Sequence, residues 1–124
     1  MTGRVHIYSR MYRDVQRSAL EAAFPDREVV CLQDEADFVA AIGEMEYLVT
    51  LAPPGAHWRD AKKLKLVHSF GAGIDHMVPF DGLPPDVIVA NASGLVAEPM
   101  AEYGLALVLM VRKHISRAVS QQQQ

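Results

Sequence analysis

The segment Gly71-Ala72-Gly73-Ile74-Asp75-His76 has the clearest chemical content in this sequence. Two glycines within three residues, directly after the apolar run Leu64 to Phe70, let the backbone turn sharply and present bare N–H groups. Such groups can cradle an anion, a carboxylate or a phosphate. A tight strand-to-helix turn would use the same residues, and spacing alone leaves both readings open. A dinucleotide fingerprint is not met. GxGxxG requires a third glycine where His76 stands and a helix where Met77-Val78-Pro79 stands. It also requires an acidic residue about 20 positions on, where this sequence has Asn91.

Asn91-Ala92-Ser93-Gly94-Leu95-Val96-Ala97-Glu98-Pro99 is the second candidate. Pro99 suits the first turn of a helix, where no backbone N–H is needed, and Glu98 suits its positive end. A plainly capped helix accounts for these residues. Asn91 and Ser93 could also offer polar groups to a ligand held by the glycine loop.

The five histidines supply little chemistry. His6 and His68 fall inside strand-like runs, His57 opens a surface segment, and His114 sits on a basic helix end. No pair has metal-ligand spacing with a carboxylate, so no metal site is expected. His76 lies beside the glycine loop, where Asp75 is the better candidate for tying down the turn. No nucleophile elbow, Walker loop or Ser/His/Asp arrangement is present. Lys62, Lys63 and Lys65 precede a strand rather than end one, which argues against a phosphate receiver.

The elements that must position these residues alternate regularly. Strands are expected at Arg4 to Ser9, Glu28 to Leu32, Tyr47 to Leu51, Leu64 to Phe70 and Val87 to Asn91. Helical spacing covers Tyr12 to Phe24, a segment capped by Asp34 or Asp37 and ending at Gly43, and the weaker His57 to Lys63. From Pro99 the pattern is helical without interruption to about Val119. This order predicts an α/β fold: a five-stranded parallel sheet with helices on both faces, flavodoxin-like, with a long apolar C-terminal helix. Ligands of such sheets sit outside the carboxyl ends of the strands. The loops to inspect are therefore Ser9-Arg10, Leu51 to Gly55, Phe70 to His76 and Asn91 to Glu98.

Composition limits the alternatives. With 124 residues, half of them hydrophobic, the chain can bury one core and is too short for two ordinary domains. Twelve basic against fifteen acidic residues leave a net charge of −3, without the surplus a nucleic-acid binder carries. The lone cysteine, Cys31, makes no internal disulfide, and the N-terminus has no secretory apolar stretch, so a cytoplasmic location is expected. The longest apolar run, Tyr103 to Val111, is well short of the roughly 20 residues of a membrane span. In the last helix, Leu105 to Val111 are consecutively apolar, so it is apolar all round and needs cover from another subunit or further chain.

The stretch LKLVHSFGAGIDHMVP, followed by LPPDVIVANASGLVAEPMAEYGLALVLMVRKHISRAV, closely resembles the D-isomer-specific 2-hydroxyacid dehydrogenases. The strand–GxGxDH loop, the N-x-S-G segment and the AE-x-x-AEY helix occur in register over Leu64 to Val119. The first 60 residues match only as a strand–helix pattern with Pro-Pro after the third strand.

The resemblance implies a flavodoxin-like substrate-binding domain over residues 1–98. Residues 99–124 would be a helix crossing towards a cofactor domain, the whole forming one structural domain. It also implies that Ala72, Gly73 and Ile74 hold a substrate carboxylate through backbone amides. Leu51 and Ala52 would form a second wall, and Asn91 would face the cleft. Family members reduce small 2-oxo acids with NAD or NADP as cofactor. Their catalytic residues and nucleotide site match nothing in this chain, so it is expected to look like one domain cut at the inter-domain boundary. It would then bind no cofactor, transfer no hydride alone, and pair as a homodimer through the Pro99–Val119 helix. The competing reading is a stand-alone flavodoxin-like binding or regulatory domain. A small flavoprotein is disfavoured because Ser9-Arg10-Met11-Tyr12 is a poor phosphate loop.

Overall fold

The computed structural model describes residues 3–122. Five short strands form one parallel sheet: β1 (Val5–Tyr8), β2 (Val29–Leu32), β3 (Tyr47–Thr50), β4 (Leu66–Ser69) and β5 (Ile88–Asn91). Their order is β2-β1-β3-β4-β5. In register, Val5 lies opposite Val29 and Tyr47, Tyr47 opposite Leu66, and Leu66 opposite Ile88. All five strands therefore end at one edge of the sheet, where Tyr8, Thr50, Ser69 and Asn91 lead into loops.

Helix α1 (Arg13–Ala23) follows β1, and α2 (Glu35–Ala41) follows β2. Asp34 caps α2: its carboxylate accepts the Asp37 N–H at 2.9 Å, while the Asp37 carboxylate accepts the Gln33 N–H at 2.8 Å. The first bond satisfies an N–H that a helix start leaves free, and the second ties the residue before the cap to the first turn. A 3-10 turn over Ile42–Glu44 continues α2, and a longer one at Gly55–Asp60 replaces the helix expected over His57 to Lys63. It seats Trp58 in the core.

The alternation of a strand decides which side is filled. Leu48, Thr50, Val67 and Ser69 are fully buried, and Phe38, Ile42, Met45, Trp58 and Ala61 pack on that face. Tyr8, Phe38, Trp58 and Phe80 form a chain of edge-on and tilted rings 5.1, 6.4 and 6.1 Å apart. On the other face, Leu20 of α1 and Phe24 just after it border a cavity of about 400 Å³ with Val49, Leu66 and His68. Helices α1 and α2 thus cover opposite faces of the sheet.

The chain clusters into two compact units, Met1–Ala92 and Ser93–Gln124. The second corrects the expectation of one helix running from Pro99 to Val119. Helix α3 spans Ala97–Arg112 and α4 spans Ile115–Gln122, separated by His114 in the left-handed conformation at φ 52°. The Lys113 N–H donates to the Leu109 carbonyl at 2.9 Å and the His114 N–H to the Val111 carbonyl at 3.2 Å, closing α3. The His114 carbonyl then accepts the Arg117 and Ala118 N–H groups and starts α4. Helices commonly end on one left-handed residue, and histidine is among the non-glycine types enriched there. The long apolar helix is therefore absent as a single element, and among the described residues no helix is long and apolar enough to cross a membrane. Pro99 lies inside the first turn of α3, where a missing N–H breaks no bond.

Candidate functional site

Four strand ends assemble the candidate site. Leu51 and Ala52 follow β3, Gly71 to His76 follow β4, and Asn91 closes β5. Ser9 to Met11 follow β1 and complete the row, because β1 lies beside β3 in the sheet.

The glycine loop is pinned from three sides. The Asn91 side-chain amide donates to the Ala72 carbonyl at 3.0 Å. The Ala92 N–H donates to the Gly71 carbonyl at 3.1 Å, and the Gly71 N–H reaches the Ser69 hydroxyl at 3.3 Å. From the opposite side, His76 Nε2 bonds the Leu51 carbonyl. The tie to β3 is therefore made by His76, not by Asp75 as the sequence pattern suggested.

Space, rather than a left-handed backbone, makes glycine necessary at position 71. A Cβ there would lie 2.8 Å from Leu51 Cδ1, closer than real Cβ atoms approach. At Gly73 the nearest neighbour would be an Asp75 carboxylate oxygen at 3.6 Å, an ordinary contact. Nothing among the described residues demands glycine at 73.

Among the described residues, the N–H groups of Ala72, Gly73 and Ile74 donate to no acceptor. Ala72 and Gly73 are exposed and Ile74 half-buried. Three successive open amides, on a loop held at both ends, form a donor set suited to an anion.

A cavity of about 210 Å³ lies beside this loop, lined by Tyr8, Ser9, Arg10, Met11, Leu51 and Ala52. Leu51 joins the two features, since it packs on Gly71 and also lines the cavity. The structure thus brings Leu51, Ala52, Ala72 and Asn91 into one cluster, with Gly73 and Ile74 on the same loop. Asn91 serves there as a brace for the loop. Local pattern did not mark His76 as a clamp; Ser9-Arg10 was among the strand-end loops singled out for inspection, and the structure makes it a cavity wall.

Among the described residues, no group of three His, Cys, Asp or Glu side chains could hold a metal ion. The glycine loop after β4 is not a dinucleotide cradle of the usual kind. Such cofactors rest their pyrophosphate on the N-terminus of a helix directly after the glycine turn. Here β4 is followed by turns and no α-helix before β5.

No protein-family model matches the chain, and no curated protein sequence does. Solved structures do. A D-isomer specific 2-hydroxyacid dehydrogenase family protein from Aeromonas salmonicida superimposes with a TM-score of 0.78 at 22% identity, covering 100% of this chain and 40% of that one. At that identity the likeness shows the fold. A D-isomer specific 2-hydroxyacid dehydrogenase from Xanthobacter autotrophicus, solved with NADPH and MES, gives 0.71 at 28% identity, over 99% and 40% of the two chains. An NADPH-dependent glyoxylate/hydroxypyruvate reductase from Sinorhizobium meliloti, solved with NADP and sulfate, gives 0.71 at 28%, again over 99% and 40%. This chain spans about 40% of the length of these structures. The matches over its whole length are D-isomer-specific 2-hydroxyacid dehydrogenases, consistent with a single domain of that family.

Proposed function

We propose that this chain is the substrate-binding part of an NAD(P)-dependent D-2-hydroxyacid dehydrogenase, a 2-oxo acid reductase such as the glyoxylate/hydroxypyruvate type. One observation carries the reading: the three open amides of Ala72, Gly73 and Ile74 at the carboxyl end of β4. The 28% identity to a dehydrogenase solved with NADPH and to a reductase solved with NADP supports the cofactor class of the parent activity.

On this reading the chain's own residues bind and orient. A substrate carboxylate accepts hydrogen bonds from the Ala72, Gly73 and Ile74 amides, which are charge-assisted and stronger than neutral ones. Asn91 and His76 hold the loop so that these donors need no reorganisation on binding. Leu51 and Ala52 supply an apolar wall that orients the 2-oxo group's substituent and excludes water from it. No residue of the cluster is assigned an acid–base role. The chain by itself holds the acid without reducing it.

A few amides in an open site give weak affinity, with Kd of about 1 mM corresponding to roughly −4 kcal/mol. The direct test is titration of the isotope-labelled chain with glyoxylate and pyruvate, followed by amide NMR. Saturable shifts centred on Ala72 to Ile74 are expected, and unmoved amides there would overturn the carboxylate cradle. In parallel, NADH fluorescence is expected to show no tight binding. Affinity of about 1 µM would overturn the expectation that this chain binds no cofactor.

A further inference from the structure

The cavity beside the glycine loop has a charged wall that carboxylate recognition by backbone amides does not use. Arg10 lines it, on the loop after β1. That loop is stiffened at both ends. The Ser9 hydroxyl accepts the Met11 N–H at 3.1 Å and donates to the Met11 carbonyl at 2.6 Å, and Ser9 itself is buried. The Arg13 side chain donates to the Ser9 carbonyl at 3.2 Å. Arg10 is therefore displayed from a fixed turn.

The neighbouring arginines are already engaged. Arg13 also bonds the Gln33 side chain, and Arg17 pairs with Glu21 at 2.8 Å. Arg10 forms no ion pair or side-chain hydrogen bond with any described residue. Its guanidinium is a permanent cation with a planar fork of donors that matches a carboxylate. The rest of the cavity wall, from Tyr8, Met11, Leu51 and Ala52, is largely apolar. At about 210 Å³ it is smaller than the pockets of about 300–1,000 Å³ that enclose drug-sized ligands, and it suits a chain of a few carbons.

We infer that this cavity is a specificity subsite and that Arg10 selects 2-oxo acids bearing a second, distal carboxylate. The inference rests on the glycine loop holding the first carboxylate. The substrate's carbon chain then runs past Leu51, which borders both features, and its far end meets Arg10. An apolar passage with one cation at its end rejects a bare alkyl tail less strongly than it rewards an anion, so the effect is a preference between acids of equal length.

The test compares 2-oxoglutarate with 2-oxopentanoate, which has the same carbon count without the distal carboxylate. Each is titrated into the full chain and into its Arg10→Ala and Arg10→Lys variants, with amide NMR as the readout. The wild type is expected to bind 2-oxoglutarate about fivefold more tightly, the worth of a good exposed ion pair. Arg10→Ala should bind both acids equally, and Arg10→Lys should keep part of the preference because it keeps the charge but not the fork. Equal affinities in the wild type, or a preference that survives Arg10→Ala, overturn the subsite while glycine-loop shifts leave the carboxylate cradle standing. If neither acid shifts the Ala72 to Ile74 amides, the cradle falls and the subsite falls with it.

Discussion

Asn91, the last residue of β5, donates its side-chain amide to the carbonyl of Ala72 at 3.0 Å. One strand end thereby braces the loop that follows its neighbour, since β4 and β5 pair in parallel with Ser69 opposite Asn91. The donor set of the loop is consequently held open by a residue that points at the loop's backbone and leaves its N–H groups free.

Removing that brace should loosen the loop without unfolding the sheet. Asn91→Ala is expected to cost about 1 kcal/mol, the usual net worth of one hydrogen bond. Amide exchange at Ala72 to Ile74 should quicken more than exchange in β4. Uniform acceleration across the sheet would show that Asn91 supports the fold and not the loop in particular.

Gly71 and Leu51 should be coupled. Gly71→Ala places a methyl group 2.8 Å from Leu51 Cδ1, and overpacking of this kind costs about 1–3 kcal/mol. Leu51→Ala makes room for the new methyl. The double variant should therefore be more stable than the sum of the single effects predicts, as read from urea denaturation in a double-mutant cycle. Strict additivity would mean that the loop relaxes away from the contact.

The pH dependence of stability carries a signature of His6. This residue is buried in β1, and burial, followed by the nearby Arg4 charge, holds its imidazole below the ordinary value of 6.5. Its Nδ1 is buried with no hydrogen-bond partner among the described residues. Near and below pH 6.5 the unfolded chain then binds more protons than the folded one. Stability from this group is complete above 6.5 and is lost as pH falls through the depressed folded value. Urea midpoints should drop between about pH 8 and about pH 5, and His6→Val should flatten that slope. An unchanged slope in the variant would place the pH dependence elsewhere.

Trp58 is the sole tryptophan and is 1% exposed. Trp58→Ala is expected to cost about 3–5 kcal/mol, a large part of the stability of a small domain. Trp58→Phe keeps a ring between Phe38 and Phe80 and should cost clearly less. Circular dichroism during thermal melting distinguishes the two variants, and equal losses would mean that the ring contacts contribute little.

Helix α3 carries the consecutive apolar residues Leu105 to Val111. We expect the chain to self-associate as a homodimer through this helix, because a continuous apolar surface of this kind is rarely left to water. Val108→Asp combined with Val111→Asp should shift sedimentation towards monomer while leaving the sheet's circular dichroism unchanged. A wild-type chain that sediments as a monomer at high concentration would sink the expectation.

The α/β class and the parallel sheet were legible in the residues, because strand runs such as EVVCL and YLVTL carry β-branched side chains between well-marked turns. The glycine loop was legible for the same local reason: Gly71 and Gly73 follow directly on an apolar strand. So was the capping of α2, although the pattern offered Asp34 and Asp37 equally and geometry made Asp34 the cap and Asp37 the partner of Gln33. What local pattern could not reach was any choice that depends on distant atoms. The break at His114 has no glycine or proline to announce it, and only a left-handed backbone ends α3 there. The tie made by His76 leaves no local sign, because its acceptor, the Leu51 carbonyl, lies 25 residues away in sequence and becomes adjacent only when β3 and β4 pair. Gly71 likewise gains its necessity from Leu51, and Arg10 its cavity from the placement of β1 beside β3. Periodicity and turn chemistry act over a few residues and so determine the elements. Contacts at the strand ends are set by sheet order and register, which exist only in the folded chain.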